Sequence, residues 1–328
     1  MPPRRGTVLL VLPGGLTRQS GGNVYDRAVI ERLDALGWTV ALAEGVKDIP
    51  GADVIIQDSL ALPLGPADTD APVVALVHQL PSSAAERPEW VQPERRALQA
   101  ATRVVTVSRW LGEAAGELTD APVSVIPPGR DRAWAEAGPH PEAATVLCVA
   151  NAFPGKGLPE AVEAFEAARL EDGRLVLAGD PDRDPGEAAR LRDRLRNSSA
   201  TVDVAGFLEP AKLSERYANA RLLLTASRFE GWPIAVAEAM AGGLPVAGFD
   251  VPGLRELVRD GVDGLLVPAG DLDALGAAVR RVFRDRRLGA EMGSAARGRA
   301  LRWPSWQETA SRFAALIEDV AGQETGAV

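Results

Sequence analysis

Two carboxylates, Glu230 and Glu238, have the residue type and spacing in this chain that best suit ligand chemistry. They lie in segment 226–246, which reads ASRFEGWPIAVAEAMAGGLPV. If both were helical they would point about 80° apart, because each residue advances an α-helix by about 100°. If Glu230 instead lies in a turn and Glu238 on the second turn of the following helix, both can border the sheet edge where α/β proteins bind ligands.

The residues around this pair predict a strand, a turn and a helix. The mostly apolar run 221–227 is typical of a buried strand in a parallel sheet. Pro233 suits the first helical position, because the amide that proline lacks would have no partner within the helix there. The glycines 242–243 would end the helix, and residues 244–249 would form the next strand.

The start of this helix is a predicted anion site. The amides of Ile234 and Ala235 have no acceptor inside the helix, so they can bind an anion. Glu238 lies among apolar neighbours, and a buried carboxylate needs hydrogen-bonding partners. An anion site between two carboxylates suits a ligand made of a sugar, a diphosphate and a ribose. The alternative is that Glu230 is solvated and Glu238 pairs with a structural arginine.

Residues 227–241, SRFEGWPIAVAEAMA, resemble the E-x7-E motif of the nucleotide-sugar site in retaining GT-B glycosyltransferases of family 4. The resemblance implies that Glu238 holds the ribose hydroxyls of the donor and that Glu230 holds a hydroxyl of its sugar. It also implies that the backbone of 231–235 faces the sugar and the diphosphate. The donor-binding residues expected on this stretch are Arg228, Gly231, Trp232, Pro233, Ile234, Ala235 and Glu238, with Glu230 as a catalytic residue.

A lysine loop follows the first predicted strand of the second half, in the run 149–157, VANAFPGKG. Lys156 resembles the phosphate-binding lysine of the same family, so we expect it to stabilise the leaving diphosphate as a catalytic residue. Where the family has an arginine, this chain has Asn151, which removes one cation from the expected clamp. Either donor affinity is lower, or the donor is unusual, or another arginine such as Arg228 or Arg255 substitutes.

The first half carries a glycine-rich loop and a histidine at strand ends. Gly14, Gly15 and Gly22 lie between the first strand and the first helix, where they would let backbone approach the donor, and Gly22 or Asn23 would cap the helix. His78 ends a strand and resembles a family histidine near the donor sugar and acceptor, so it is the third catalytic residue expected. By the same resemblance, Gly179 and Phe207 in the second half border the nucleotide base.

No metal or separate cofactor is predicted; the nucleotide sugar is a co-substrate. The pattern D-x-D, which metal-dependent transferases of another fold use, occurs at 68–70, 180–182, 182–184 and 271–273. Four matches in an acidic chain carry little information. The G-x-G-x-x-G dinucleotide fingerprint is absent from the sequence, which argues against an NAD-type protein.

Composition narrows the class of protein. A formal net charge of −9 disfavours nucleic-acid binding. The single cysteine, Cys148, excludes an intramolecular disulfide, and no run of 18 apolar residues is present, so we expect a cytoplasmic protein. A basic, aromatic membrane-docking face is the less favoured alternative to a solvated face, because Glu86, Glu89 and Glu94 dilute its charge; its residues would be Arg95, Arg96, Arg103 and Arg109 with Trp90 and Trp110.

Six short apolar runs alternate with helical segments in each half of the chain, which predicts two doubly wound parallel sheets of an α/β protein. The resemblance implies the GT-B fold, in which two Rossmann-like domains face a central cleft. We expect an acceptor domain at 1–137, a linker at 131–144 and a donor domain at 138–305. The last helix, 306–321, would pack back on the first domain.

The sequence therefore predicts a retaining, metal-independent glycosyltransferase that moves a sugar from a UDP- or GDP-sugar to an acceptor. The resemblance covers the second half closely but the first half only in layout, so the acceptor (a small molecule, a glycan or a lipid) is not identified. Two alternatives remain. One is an NAD-type Rossmann oxidoreductase or epimerase. The other is a non-catalytic GT-B-like subunit, which the Asn151 substitution allows.

Overall fold

The computed structural model describes residues 5–17, 20–80, 82, 88–130 and 144–323. Their contacts divide the chain into two compact units, Met1–Gly129 with Pro304–Val328 and Arg130–Trp303. The predicted linker at 131–144 lies outside the described residues, except for Ala144.

The first unit contains a parallel six-stranded sheet with the strand order β2-β1-β3-β4-β5-β6. The central strands β3 and β4 are buried on both faces, and for this reason they are nearly continuous apolar runs rather than alternating ones. The strands are β1 Gly6–Val11, β2 Trp38–Ala43, β3 Val54–Asp58, β4 Val73–Val77, β5 Arg103–Thr106 and β6 Val123–Val125.

Helices α1 Gly21–Ala35, α2 Val91–Ala100, α3 Arg109–Gly116 and α11 Trp306–Gln323 accompany this sheet, with short 3-10 helices at Ser59–Leu64 and Pro88–Trp90. The last helix, α11, packs on α1: the ring of Phe313, which is fully buried, meets Tyr25 edge to face at 6.2 Å. The chain before this helix passes very close to Gly129, where a Cβ would lie 2.2 Å from the Trp306 nitrogen.

The second unit repeats the design with the strand order β12-β11-β10-β7-β8-β9, again entirely parallel. Its strands are β7 Thr145–Val149, β8 Arg174–Ala178, β9 Val202–Gly206, β10 Leu222–Thr225, β11 Val246–Phe249 and β12 Gly264–Val267. Its helices are α4 Leu158–Ala167, α5 Pro185–Arg196, α6 Pro210–Ala218, α7 Ile234–Ala241, α8 Pro252–Leu257, α9 Leu272–Arg284 and α10 Arg286–Ala300.

Several local predictions were wrong. Pro233 is the N-cap of α7 and not its first helical residue, with φ −76° and ψ 92°. Ser20, rather than Gly22 or Asn23, caps α1, because its hydroxyl accepts a hydrogen bond from the Asn23 amide. The buried face of α10 consists mostly of small residues and glycines, which give a weak apolar periodicity.

Candidate functional site

The strand order of the second sheet reverses direction between β10 and β7. These two strands are neighbours, but the chain continues from β7 to β8 on one side and from β10 to β11 on the other. Ligands of open α/β sheets bind in the crevice that forms outside the strand ends at such a point. The loop after β7 carries Lys156, and the loop after β10 carries Glu230. The fold therefore brings together two predicted site residues that are 74 positions apart in the sequence.

Lys156 and Glu230 form an ion pair in which the ammonium group contacts both carboxylate oxygens. The lysine Nζ lies 2.9 Å from both carboxylate oxygens of Glu230. The Glu230 side chain is 11% exposed, whereas that of Lys156 is 35% exposed, so the ammonium group lies on the solvent side of the pair. Glu230 is thus neither solvated nor unpaired. An ammonium group has three N–H donors, so Lys156 can bind a further anion without releasing Glu230.

Two glycines allow the backbone to pack closely around this pair. A Cβ on Gly157, whose φ is +67°, would lie 2.2 Å from the Ala226 carbonyl oxygen. A Cβ on Gly253, in α8, would lie 2.0 Å from the carbonyl oxygen of Glu230 itself. Because both contacts are with backbone, no side-chain rotation can relieve them, and the two loops are held against each other and against α8.

The N-terminus of α7 is the predicted anion site. Its N-cap, Pro233, offers no side-chain oxygen to the helix. Within the described residues, no hydrogen bond is formed by the amides of Ile234 and Ala235, whereas those of Val236 and Ala237 bond to the Pro233 carbonyl. Free amides at a helix start favour a bound anion.

Glu238 is half-buried on α7, and a hydrogen-bond donor satisfies its carboxylate, as its apolar surroundings require. The hydroxyl of Tyr217 lies 2.9 Å from Glu238 Oε2 and 3.1 Å from the Ala235 carbonyl oxygen. Burial first, and the neighbouring Glu238 charge second, raise the pKa of Tyr217 well above its usual value, so the phenol keeps its proton to donate. Sequence reasoning missed Tyr217; its signal was a tyrosine, one of two in the chain, at the end of an otherwise polar helix.

The other predicted donor-site residues lie around the same strand ends. The Asn151 side chain accepts a hydrogen bond from the Asp180 amide at 2.8 Å, which ties the loops after β7 and β8 together. Gly179 follows β8, and Phe207 follows β9 with 44% of its surface exposed. Gly231 is buried, and Trp232 meets Trp303 edge to face at 5.7 Å.

The two arginines considered as substitutes for the missing cation are both engaged with carboxylates. Arg228 lies 3.7 Å from Glu160 and is 58% exposed. Arg255 bonds to Asp250 at 2.7 Å and is 62% exposed. Neither is buried, so either side chain can still reorient toward a ligand.

In the first unit, the loop after β1 and the histidine after β4 are both near α1. Gly14 and Gly15 have positive φ values of 76° and 60°, and the Gly15 carbonyl accepts a hydrogen bond from the Asn23 side chain at 3.1 Å. His78 lies against Gly22, where a Cβ would be 3.2 Å from the ring. These predicted residues of the first unit therefore gather at the start of α1.

His78 contacts two buried carboxylates that the sequence analysis did not identify. Its Nε2 lies 3.0 Å from Asp26 Oδ1 and 3.3 Å from Asp58 Oδ2. Burial alone would lower the pKa of His78, but the charges of Asp26 and Asp58 outweigh it, and the pKa is raised. Burial, together with repulsion from Asp26, raises the pKa of Asp58 to about 7, although His78 and two backbone amides act in the opposite direction.

This group is the one place in the described part of the chain where acidic and histidine side chains converge closely enough for a metal ion, with ligand atoms within 4.8 Å of one another. Two of the aspartates in the D-x-D matches have local structural roles: Asp180 accepts a hydrogen bond from the Asp182 amide, and Asp271 caps α9. The expectation that catalysis needs no metal stays a prediction.

The basic, aromatic face that the sequence analysis considered as the less favoured alternative is partly engaged in ion pairs and hydrogen bonds. Arg103 pairs with Asp319 at 3.1 Å, and Glu94 is buried and accepts hydrogen bonds from Ser82, so it does not dilute the surface charge as expected. Glu86 lies outside the described residues. None of the described helices has the length and apolar character needed to cross a bilayer.

The family model described as glycosyl transferases group 1 matches residues 131–299, just over half of the chain. This protein belongs to that family. The match coincides with the second unit and includes Lys156, Glu230 and Glu238.

Two curated relatives of similar sequence are also named as sugar transferases. The chain is 30% identical over 227 residues to the D-inositol 3-phosphate glycosyltransferase of Geodermatophilus obscurus, covering 62% of this chain and 50% of the relative. It is 32% identical over 164 residues to the phosphatidyl-myo-inositol mannosyltransferase of Mycobacterium leprae, covering 50% of this chain and 41% of the relative. The chain thus spans about half or less of the length of these two relatives.

Solved structures resemble the whole chain. The sucrose-phosphate synthase of Thermosynechococcus elongatus superimposes with a TM-score of 0.82 and 20% identity, covering 97% of this chain and all of that one. HepE of Anabaena, solved in complex with UDP-glucose, superimposes with a TM-score of 0.82 and 18% identity, and the match covers 96% of this chain. With the two parallel six-stranded sheets, these neighbours confirm the predicted GT-B fold of two Rossmann-like domains.

Proposed function

We propose that this protein is a retaining, family 4 glycosyltransferase that takes a sugar from a UDP- or GDP-sugar without a metal ion. The observation that carries the proposal is the Lys156–Glu230 ion pair beside the free amides of Ile234 and Ala235. The pair brings a cation and a carboxylate to the switch point of the second sheet, and the N-terminus of α7 follows four residues after Glu230.

The chemistry of the pieces matches a nucleoside diphosphate sugar. Lys156 and the α7 amides would stabilise the negative charge that develops on the leaving diphosphate. Glu230, held in place by Lys156, would accept hydrogen bonds from the sugar. Glu238, oriented by Tyr217, would accept those of the ribose hydroxyls; hydrogen bonds to a charged group contribute about 1.5–3 kcal/mol each.

The relatives support this assignment, since both curated ones quoted above are named as sugar transferases. Other solved structures of HepE contain UDP with glucose, or UDP alone. The acceptor is proposed only as a hydroxyl compound: a small molecule, a glycan or a lipid. A cytoplasmic protein is proposed from the single, buried cysteine, and no role in nucleic-acid binding is proposed for so acidic a chain.

The first experiment is thermal unfolding with UDP, GDP, ADP or NAD, each in EDTA and again with Mg²⁺. A ligand at 100 times its Kd stabilises the folded state by about 2.7 kcal/mol, so a nucleotide that binds the site raises Tm measurably. We expect a shift with UDP or GDP that is independent of metal, is lost in Glu238→Gln and is kept in the matched control Glu163→Gln, an exposed glutamate of α4.

Other outcomes contradict the proposal. A shift with NAD alone supports the oxidoreductase alternative, and no shift with any nucleotide supports the non-catalytic subunit. A shift that requires Mg²⁺ contradicts metal independence. Retention is checked separately, by ¹H NMR of the sugar first released when water replaces the acceptor: an α-linked donor should release the α-anomer.

A further inference from the structure

Two tryptophans that are distant in the sequence meet beside the candidate donor site. Trp232 lies in the turn between Glu230 and α7, and Trp303 follows α10. Their rings meet edge to face, with centroids 5.7 Å apart and an angle of 71° between the planes. Both are half-buried, pack against the core of the second unit and belong to that unit alone. The pair therefore joins the donor-site turn to the chain just after α10.

Trp303 is held in place by its backbone. Its amide donates to the Ala300 carbonyl oxygen at 3.0 Å, at the end of α10, and its own carbonyl accepts a hydrogen bond from Arg130 Nε at 3.2 Å. Pro304 follows, and the residue before a proline is disfavoured from helical conformation. A helix end, an arginine and a proline thus all limit the movement of Trp303.

Helix α10, which leads into Trp303, is itself fixed to the elements around the donor site. A Cβ on Gly293 would lie 2.2 Å from the carbonyl oxygen of Gly243, just beyond the end of α7. Arg299 Nη2 donates to the Glu256 carbonyl oxygen of α8 at 3.0 Å. The chain from α10 to Trp303 therefore contacts both ends of the segment that contains α7.

The turn that contains Trp232 has fewer restraints of its own. Within the described residues, the side chain of Trp232 forms no hydrogen bond, and neither do the amides of Ile234 and Ala235 that follow it. Lys156 holds Glu230 at the start of the turn. Near its end, the side-chain contact of Trp232 with Trp303 is what ties the turn to a fixed element.

We propose that Trp303 is a positioning residue for donor binding, which holds Trp232 and through that ring the turn from Glu230 to α7. Without this contact the turn samples more conformations, and a ligand must remove that freedom when it binds. Affinity then falls although no contact with the ligand has been lost. The role in donor binding rests on the proposed function, whereas the existence of the ring pair does not.

The ring pair is tested first, in the full-length protein without a ligand. Two indoles in close contact couple their electronic transitions, which gives a couplet of bands of opposite sign in the far-ultraviolet circular dichroism spectrum. We expect Trp232→Phe and Trp303→Phe to remove the same couplet from the wild-type spectrum, since each substitution leaves one indole of the pair. A wild-type spectrum that neither substitution alters overturns the proposal.

The positioning role is tested through the Kd of UDP and GDP, measured by isothermal titration calorimetry. We expect Trp303→Leu to raise the Kd by about 2- to 10-fold, the range that an aromatic pair contributes. Trp303→Phe should keep most of the affinity, because a phenyl ring also packs edge to face. The matched control is Leu301→Ala at the same end of α10, where the side chain is 44% exposed, and it should leave the Kd unchanged.

A double variant shows whether Trp303 acts through Trp232. The double substitution of both tryptophans by leucine should bind the nucleotide no more weakly than Trp232→Leu alone, because the contact is already lost in the single variant. Losses in affinity that add up contradict this route. If Trp303→Leu does not fold, judged by circular dichroism, Trp303→Met takes its place.

The remaining outcomes separate this proposal from the proposed function. A Trp303→Leu protein with a lower Tm but the wild-type Kd makes Trp303 a structural residue only and overturns the positioning role. A wild type that binds neither UDP nor GDP overturns the proposed function and with it this role in donor binding. In that case the couplet is still present, since it depends on the ring pair and not on a ligand.

Discussion

At the scale of single residues, the candidate donor site depends on pairs in which one partner orients the other. Lys156 holds both oxygens of Glu230, and Tyr217 lies within hydrogen-bonding distance of Glu238. An orienting partner reduces the side-chain entropy that a ligand must otherwise remove on binding. Loss of such a partner should therefore weaken binding even where the ligand never touches it.

We expect Tyr217→Phe to weaken UDP or GDP binding by about 10-fold, because a hydrogen bond to a charged group is worth about 1.5–3 kcal/mol and only part of that reaches the ligand. The ring, which is buried, is preserved, so the fold should change little. Isothermal titration calorimetry gives the Kd, and circular dichroism checks the fold. An unchanged Kd would show that Glu238 does not need the phenol.

At the scale of elements, the site depends on close backbone contacts between loops and helices. Helix α8 touches the loop after β10 through Gly253, directly at the Glu230 carbonyl. The position of the Glu230 carboxylate is therefore coupled to the position of α8, although no α8 side chain bonds to it in the described structure.

We expect Gly253→Ala to destabilise the protein by about 1–3 kcal/mol, because the new methyl group meets backbone that cannot rotate away. It should also reduce the nucleotide-dependent Tm shift by displacing Glu230. The matched control is Gly298→Ala on the exposed side of α10, where a Cβ meets nothing within 4 Å. That substitution should be neutral or stabilising by up to about 1 kcal/mol, and equal effects of the two would contradict the packing argument.

At the scale of the whole molecule, stability should depend on pH through the first unit. Relative to the unfolded chain, the pKa of Asp58 is raised to about 7 and that of His78 is also raised. The folded state therefore binds more protons than the unfolded state near neutral pH. Each group's contribution is complete below its unfolded pKa and disappears as pH rises through the folded value.

The contribution of Asp58 is lost between about pH 4 and pH 7 and that of His78 above about pH 6.5, so we expect both groups to lower Tm as the pH rises from 4 to 8, by about 2–4 °C for each kcal/mol lost. Asp58→Asn removes one of the two groups and should flatten this dependence, while the exposed control Asp34→Asn should retain the wild-type slope. Differential scanning calorimetry at matched ionic strength measures all three. A Tm that rises over this range would contradict the assigned direction.

The sequence by itself determined the twelve apolar strands, the GT-B fold and the segment 227–241 that resembles the nucleotide-sugar motif. The strands and the motif could be predicted because each is contained in one short segment of the chain. A buried parallel strand is a continuous apolar run, and the motif is a single strand–turn–helix unit. Lys156 could be predicted for the same reason, because the short loop that contains it resembles the family's lysine loop.

Only the tertiary structure decided which residues meet. Lys156 reaches Glu230 across 74 positions, Tyr217 reaches Glu238 across 21, and His78 reaches Asp26 across 52. Strand order creates these encounters, because the switch points place loops from distant strands side by side. Asp26 and Asp58 look like ordinary charged residues in the sequence. What distinguishes them is their burial beside His78, and burial is a property of the folded chain.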